Sequence, residues 1–203
     1  MNIYIESNFV LELALHQEQH ASCDEIVRLC EARRARLVLP AYSLVERWDT
    51  VIRRRRERKR LASELSRELA QLIRSAAYAP ALGEFASVTA LLVDSADEDT
   101  KQLEELQRRL LSICEIIPLE ASTFSAAAHQ RIAHDLAPQD AIVYASVLQH
   151  LAHSTPANCC FLNRNSKDFD DPDIINELGR HVCRMIPRFD HGLEYVRSQV
   201  GSE

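Results

Sequence analysis

The chain has 203 residues, enough for one large domain or a compact domain with an elaboration. A hydrophobic content of 46% excludes disorder as the default, and only four glycines argue against an all-β fold of tight turns. The net charge of −6 and pI near 5.8 carry no global nucleic-acid signal, and no apolar run approaches the ~18 residues of a membrane span.

In chain order, short apolar runs predict strands over 2–5 (NIYI), 36–39 (RLVL), 113–117 (ICEII), 158–162 (NCCFL) and 182–186 (VCRMI). Helical periodicity falls between them. Two helices are expected over 8–19 and 22–34, with Ser22 and Glu25 forming a capping box at the second. A long helical stretch runs from about 42 to 78, and another covers 83–111 with a polar break near 94–99. Further helices are predicted at 121–135, 138–152, 172–180 and 189–200. Strands alternating with helices imply an α/β fold, a parallel sheet of about five strands with right-handed helical crossovers. The stretch 42–111 is too long for one crossover, so it is read as a helical hairpin arm inserted into a single domain over 1–203.

With no basic leader before an apolar segment, a cytoplasmic protein without membrane partners is expected. The six cysteines show no CxxC pair and no zinc-like spacing, which suits buried, reduced thiols. The His16/His20 pair lacks the glutamate directly after the first histidine that zinc proteases need, and no Gly-rich phosphate loop is present.

In parallel α/β sheets, ligands gather beyond the carboxyl ends of the strands. Several acids stand at such ends. Glu6 closes the first apolar run. Glu46 lies in the first turns of the helix after the second strand, and Asp140 follows Pro138 in the first turn of its helix. The fourth strand leads into NRNSKDFDDPD, with Asn165, Asp168, Asp170 and Asp171. Glu46 also suits an exposed helix face, Asp140 a helix start, and Asp170/Asp171 a cap before Pro172. Glu6 has the least ordinary explanation, because a buried strand end is a costly place for an unpaired acid. If the acids meet at one rim, their mutual repulsion calls for a hard divalent cation such as Mg²⁺ or Mn²⁺. Such an ion activates water and stabilises the charge of an attacked phosphodiester.

These motifs together resemble the PIN-domain nucleases. YIESN stands where that family has a strand and an Asp-Ser/Thr-Asn turn, and Glu46 in LPAYSLVERW matches its helical glutamate. Asp140 in QDAIVYAS matches its third acid, and NRNSKDF its element after strand four. The resemblance covers about 1–50 and 112–190. It implies a metal-dependent nuclease, RNA being the favoured substrate over DNA, with Glu6, Glu46, Asp140 and Asn165 holding Mg²⁺ or Mn²⁺. Asp168 would join Glu6, Glu46 and Asp140 in catalysis, with Asn8 and Asn163 as orienting residues. The chain departs from the pattern at Glu6 (normally Asp), at Asn163 (normally Thr) and at Asn165, which occupies an acid position. Toxin and defence nucleases share this fold, so an antitoxin or other regulatory protein is a possible partner.

The segment RRRRERKR at 53–60 carries seven basic residues and one acid, a local charge of +6. Arg53, Arg54, Arg55 and Arg56 are read as a phosphate-binding block, and Arg47 and Arg164 as contacts to a scissile phosphate. The alternative for the block is a solvated helix neutralised by acids such as Asp97, Glu98 and Asp99. Leu61, Leu65, Leu69 and Leu72 recur at helical spacing and need a partner, either the 83–111 helix or a second copy in a homo-oligomer. Two further classes stay open: a binding module that has lost catalytic competence, and a small-molecule phosphatase, which an Asp in place of Glu6 would have favoured.

Overall fold

A computed structural model describes residues 1–78, 85–154, 157–165 and 169–201. Among these, five strands and eight helices follow one another: β1 (Asn2–Ile5), α1 (Ser7–Ala14), α2 (His20–Glu31), β2 (Arg36–Pro40), α3 (Ala41–Leu72), α4 (Phe85–Ile113), β3 (Glu115–Ile117), α5 (Ala121–His134), α6 (Pro138–Ser154), β4 (Cys159–Leu162), α7 (Pro172–Arg180), β5 (Cys183–Ile186) and α8 (Phe189–Val200). The chain divides into two compact units, Met1–Arg47 with Leu106–Glu203, and Trp48–Glu105. The second falls inside the 42–111 stretch expected to form an arm.

In the first unit the strands form one parallel sheet in the order β3-β2-β1-β4-β5. Register places Ile3 between Leu37 and Cys160, and Tyr4 between Val38 and Phe161. Because strand side chains alternate, these two sets occupy opposite faces. Tyr4, Val38, Cys159 and Phe161 join a core with Val143, Tyr144, Val147, Ile174 and Leu178 of α6 and α7. On the other face α8 comes close to β4: a Cβ at Gly192 would stand 2.7 Å from Leu162 Cδ2, so glycine permits that approach. Both faces being covered explains why β1, β2 and β4 read as continuous apolar runs. Burying Ile3, Tyr4 and Ile5 fully removes apolar surface worth roughly 1.5–3 kcal/mol per side chain.

Three local expectations are corrected. Helix α1 stops at Ala14 rather than near 19, because the chain turns through His16 in the left-handed region (φ 47°) and the buried Glu12 carboxylate takes the Gln19 amide. Helix α2 consequently starts at His20 with Gln19 at its cap, so Ser22 lies inside the helix and its capping box with Glu25 does not form. A reciprocal box forms instead between Glu120 and Thr123 at α5. Helix α4 runs unbroken through 94–99. There, within the second unit, Asp97 pairs with Arg55 and Lys59, and Asp99 with Arg58, so the polar stretch has partners on α3.

Val51, Ala62, Ala96 and Leu103 are buried in the second unit, whereas Leu61, Leu72 and Leu91 are exposed. All six cysteines are free; five are buried and Cys114 is half-buried.

Candidate active site

Strand order reverses at β1, which lies between β2 and β4 although β4 follows it by more than 150 residues. A crevice opens beyond the carboxyl ends of strands at such a reversal. Glu6 follows β1 directly and Asn163 follows β4 directly, so the topology brings the first and last motifs together.

Glu6 caps α1. Its backbone is extended, and its Oε2 accepts a 2.8 Å hydrogen bond from the Asn8 amide. Its Oε1 is buried and has no hydrogen-bond partner. The carboxyl is pushed up to about 8, first by burial, then by the negative charges of Glu46 and Asp140, while bonds from the Asn8 backbone and side chain oppose the rise. The fields of Glu46 and Asp140 thus reach Glu6, which brings the three sequence-predicted acids into one electrostatic cluster.

Each of the other members is held from a different element. Ser7, the first residue of α1, donates through Oγ to Glu46 Oε2 on α3. Asp140, in the first turn of α6, accepts a 3.2 Å bond from Asn165 Nδ2. Asn163 is buried; its Oδ1 accepts from the Asn165 amide at 2.8 Å, and its own amide donates to the Ile186 carbonyl. Asn163 therefore shapes the turn after β4 and aims Asn165 at Asp140. Asp168 lies outside the described residues. Asp171, as expected of a cap, accepts from the Asp173 amide at 2.8 Å.

The arginines stand differently from their expected roles. Arg47 is fully buried, with Nη1 near the Ser43 carbonyl at 3.5 Å and Nε and Nη2 without partners; burial lowers its guanidinium to about 10. So enclosed, it cannot touch a nucleic acid at the surface. Arg164 is turned to Glu12 Oε2 at 2.7 Å and Glu18 Oε2 at 3.1 Å, where it compensates the buried Glu12 rather than pointing at a phosphate. In the basic block Arg53 and Arg56 are exposed, Arg54 is half-buried and Arg55 is engaged by Asp97. The sequence reading missed two partners, Ser7 of Glu46 and Glu12 of Arg164. Ser7 had a signal in its place next to Glu6; Glu12, inside a helical pattern, had none.

A PIN domain family model matches residues 3–169. The chain belongs to the PIN domain family. No curated protein and no solved structure matches it. The matched span runs from β1 past the end of β4, so it takes in Glu6, Glu46 and Asp140 and both asparagines.

Members of this family are nuclease-type proteins that typically use divalent metals. Among the described residues, no three His, Cys, Asp or Glu side chains converge into a ready-made metal cage. The donors fit a hard cation nonetheless. Mg²⁺ is usually held by one or two carboxylates, water filling the other positions. The orphaned Glu6 Oε1 and the unfavourable proximity of Glu6 to Glu46 and Asp140 are what a cation would relieve.

Proposed function

We propose that this PIN-domain protein is a metal-dependent nuclease that hydrolyses phosphodiester bonds, with RNA the favoured substrate over DNA. The carrying observation is the buried, unpartnered Glu6 Oε1 in a carboxylate cluster with Glu46 and Asp140 at the strand-order reversal. Glu6, Glu46, Asp140 and Asn165 would hold Mg²⁺ or Mn²⁺, which supplies an activated water and charge stabilisation at the phosphate. Asn8 and Ser7 orient Glu6 and Glu46 through hydrogen bonds, and Asn163 orients Asn165. Asp140 stands in the first turn of α6, where the helix dipole favours an anion. Asp168 is proposed as the further catalytic acid on the family motif alone. Arg53, Arg54 and Arg56, with Arg55 shared with Asp97, would bind the nucleic-acid backbone.

A cytoplasmic toxin or defence effector with a regulatory protein partner, and self-association through the arm, belong to the same reading. The second reading is a module that binds nucleic acid or protein without cutting. It is favoured by the same Glu6, whose raised pKa keeps it protonated and a weak ligand near neutral pH.

The test is cleavage of labelled RNA and DNA in Mn²⁺, Mg²⁺ or EDTA, beside Asp140→Asn and Glu6→Gln. Metal-dependent cutting lost by at least 100-fold in Asp140→Asn is expected. Cleavage that survives EDTA and both substitutions would overturn the metal-nuclease reading, and binding without cleavage in every metal would favour the second.

A further inference from the structure

β5 is an edge strand: it bonds to β4 on one side and to no described strand on the other. An edge of this kind presents a row of backbone donors and acceptors to any extended chain that reaches it. Beside it lies a groove of about 530 Å³ with Phe169, Ile175, Val182 and Met185 on its apolar walls. A second hollow of about 470 Å³ shares Arg184, Met185 and Tyr195 and continues past His191. Together they follow the whole length of β5.

Three features mark this rim as built for contact rather than left over. Ile175 and Val182 are 43% and 58% exposed. Val182 also holds the left-handed conformation (φ 54°), which a β-branched residue adopts only under strain. Gly179 is a helical residue of α7 at the groove wall, and a Cβ there would meet nothing within 4 Å. Alanine would serve the helix better, so no steric demand among the described residues explains the glycine. The open space it leaves is groove.

The two sides of β5 differ in chemistry. Cys183 and Met185 face the core shared with α7, while Arg184 faces α8, its guanidinium 5.3 Å from the Tyr195 ring centroid. Among the described residues no carboxylate pairs with Arg184. Asp170 and Glu194 border the hollows, so the complementary charge is one acid opposite Arg184 rather than an acidic run. An added strand alternates its side chains between these two sides.

We propose that the β5 edge is a docking site for an extended peptide segment of a partner protein. That segment adds as a sixth strand, places alternate large apolar side chains in the groove by Ile175 and Met185, and sets one acidic side chain against Arg184. A second copy of this chain fits less well. Two-fold pairing of β5 with itself would set hollow against hollow, leave both unfilled and bring the two Arg184 charges together. The proposal stands apart from the nuclease reading, since none of the clustered acids borders these hollows.

The probe is a fluorescein-labelled heptapeptide with leucine at its odd positions, glutamate at its centre and threonine at the remaining two. Anisotropy should show saturable binding in the range of roughly 10–100 µM, and amide exchange at 184–186 should slow when it binds. Gly179→Trp, which fills open space, should weaken binding at least tenfold with an unchanged Tm. Arg184→Glu should weaken it similarly and recover binding to the peptide with a central lysine. No binding by the wild type up to 1 mM, or equal binding by Gly179→Trp and Arg184→Glu, would overturn the proposal. A dimer in sedimentation that either substitution dissociates would overturn it in favour of self-pairing. If Gly179→Trp does not fold, the Arg184→Glu charge swap decides alone.

Discussion

Without a metal bound, the fold raises the Glu6 carboxyl so that it keeps its proton up to about pH 8. Burial and two neighbouring negative charges lift it from 4.5 to about 8, so the folded state binds its proton more tightly than the unfolded chain does. The stability this proton contributes is complete below about pH 4.5 and is lost as pH rises through about 8. Glu6→Gln should therefore raise the Tm of the metal-free protein at pH 8 by about 3–6 °C, a gain of ~1–2 kcal/mol. The difference should vanish near pH 4.5. A thermal melt in EDTA at both pH values checks this, and an equal shift at both would refute the charge argument. The same substitution is expected to abolish cleavage, so stability and activity move in opposite directions at one residue, as they do where a site carries built-in repulsion.

Between elements, the Arg164–Glu12 pair ties the turn after β4 to the end of α1. Glu12 is 1% exposed, so removal of Arg164 leaves a buried carboxylate with the Gln19 amide but without a charge partner. Arg164 is itself 39% exposed, which moderates the cost. Arg164→Ala should lower stability by about 2 kcal/mol, or roughly 4–8 °C in Tm. The double variant with Glu12→Gln should recover much of that loss in a thermal melt; no recovery would place the effect in packing rather than charge. Element ends also show where local pattern misleads. Ser22 and Glu25 have the spacing of a capping box, yet the chain enters α2 three residues earlier, where Gln19 also accepts from the amides of Phe189 and Asp190 at the start of α8. A distant helix start outweighs a local cap, because buried amides must find acceptors somewhere.

For the molecule as a whole, a net charge of −6 contains a block of +6, so any nucleic-acid affinity should be local and strongly salt-dependent. Replacing Arg53, Arg54, Arg55 and Arg56 with Gln should lower the slope of log K against log salt by about 2 for single-stranded RNA. The drop is smaller than four full contacts would give, because Asp97 already engages Arg55. An unchanged slope in filter binding at several salt concentrations would reduce the block to a solvated helix.

The parallel sheet was legible because strands buried on both faces must be short and apolar, and because β1, β2 and β4 meet that demand at every central position. Glu6 stood out because a buried strand end gives an unpaired acid few structural reasons to be there. Glu46 and Asp140, on the first turns of helices, stood out only beside it and through the motifs that resemble the family. The arginines were not. Whether Arg47 and Arg164 face solvent, the core or a carboxylate depends on which distant side chains fold against them, and adjacency to a site residue carries none of that information. By itself the sequence carried the apolar runs of the strands, through their local period, and the family, through the motif residues that resemble it. Only the tertiary structure decided that Glu6 keeps an orphaned oxygen, that Asn163 aims Asn165 at Asp140, and that β5 pairs with no described strand beyond β4. Burial and electrostatic repulsion arise between residues far apart in the chain, and they exist only once the chain is packed.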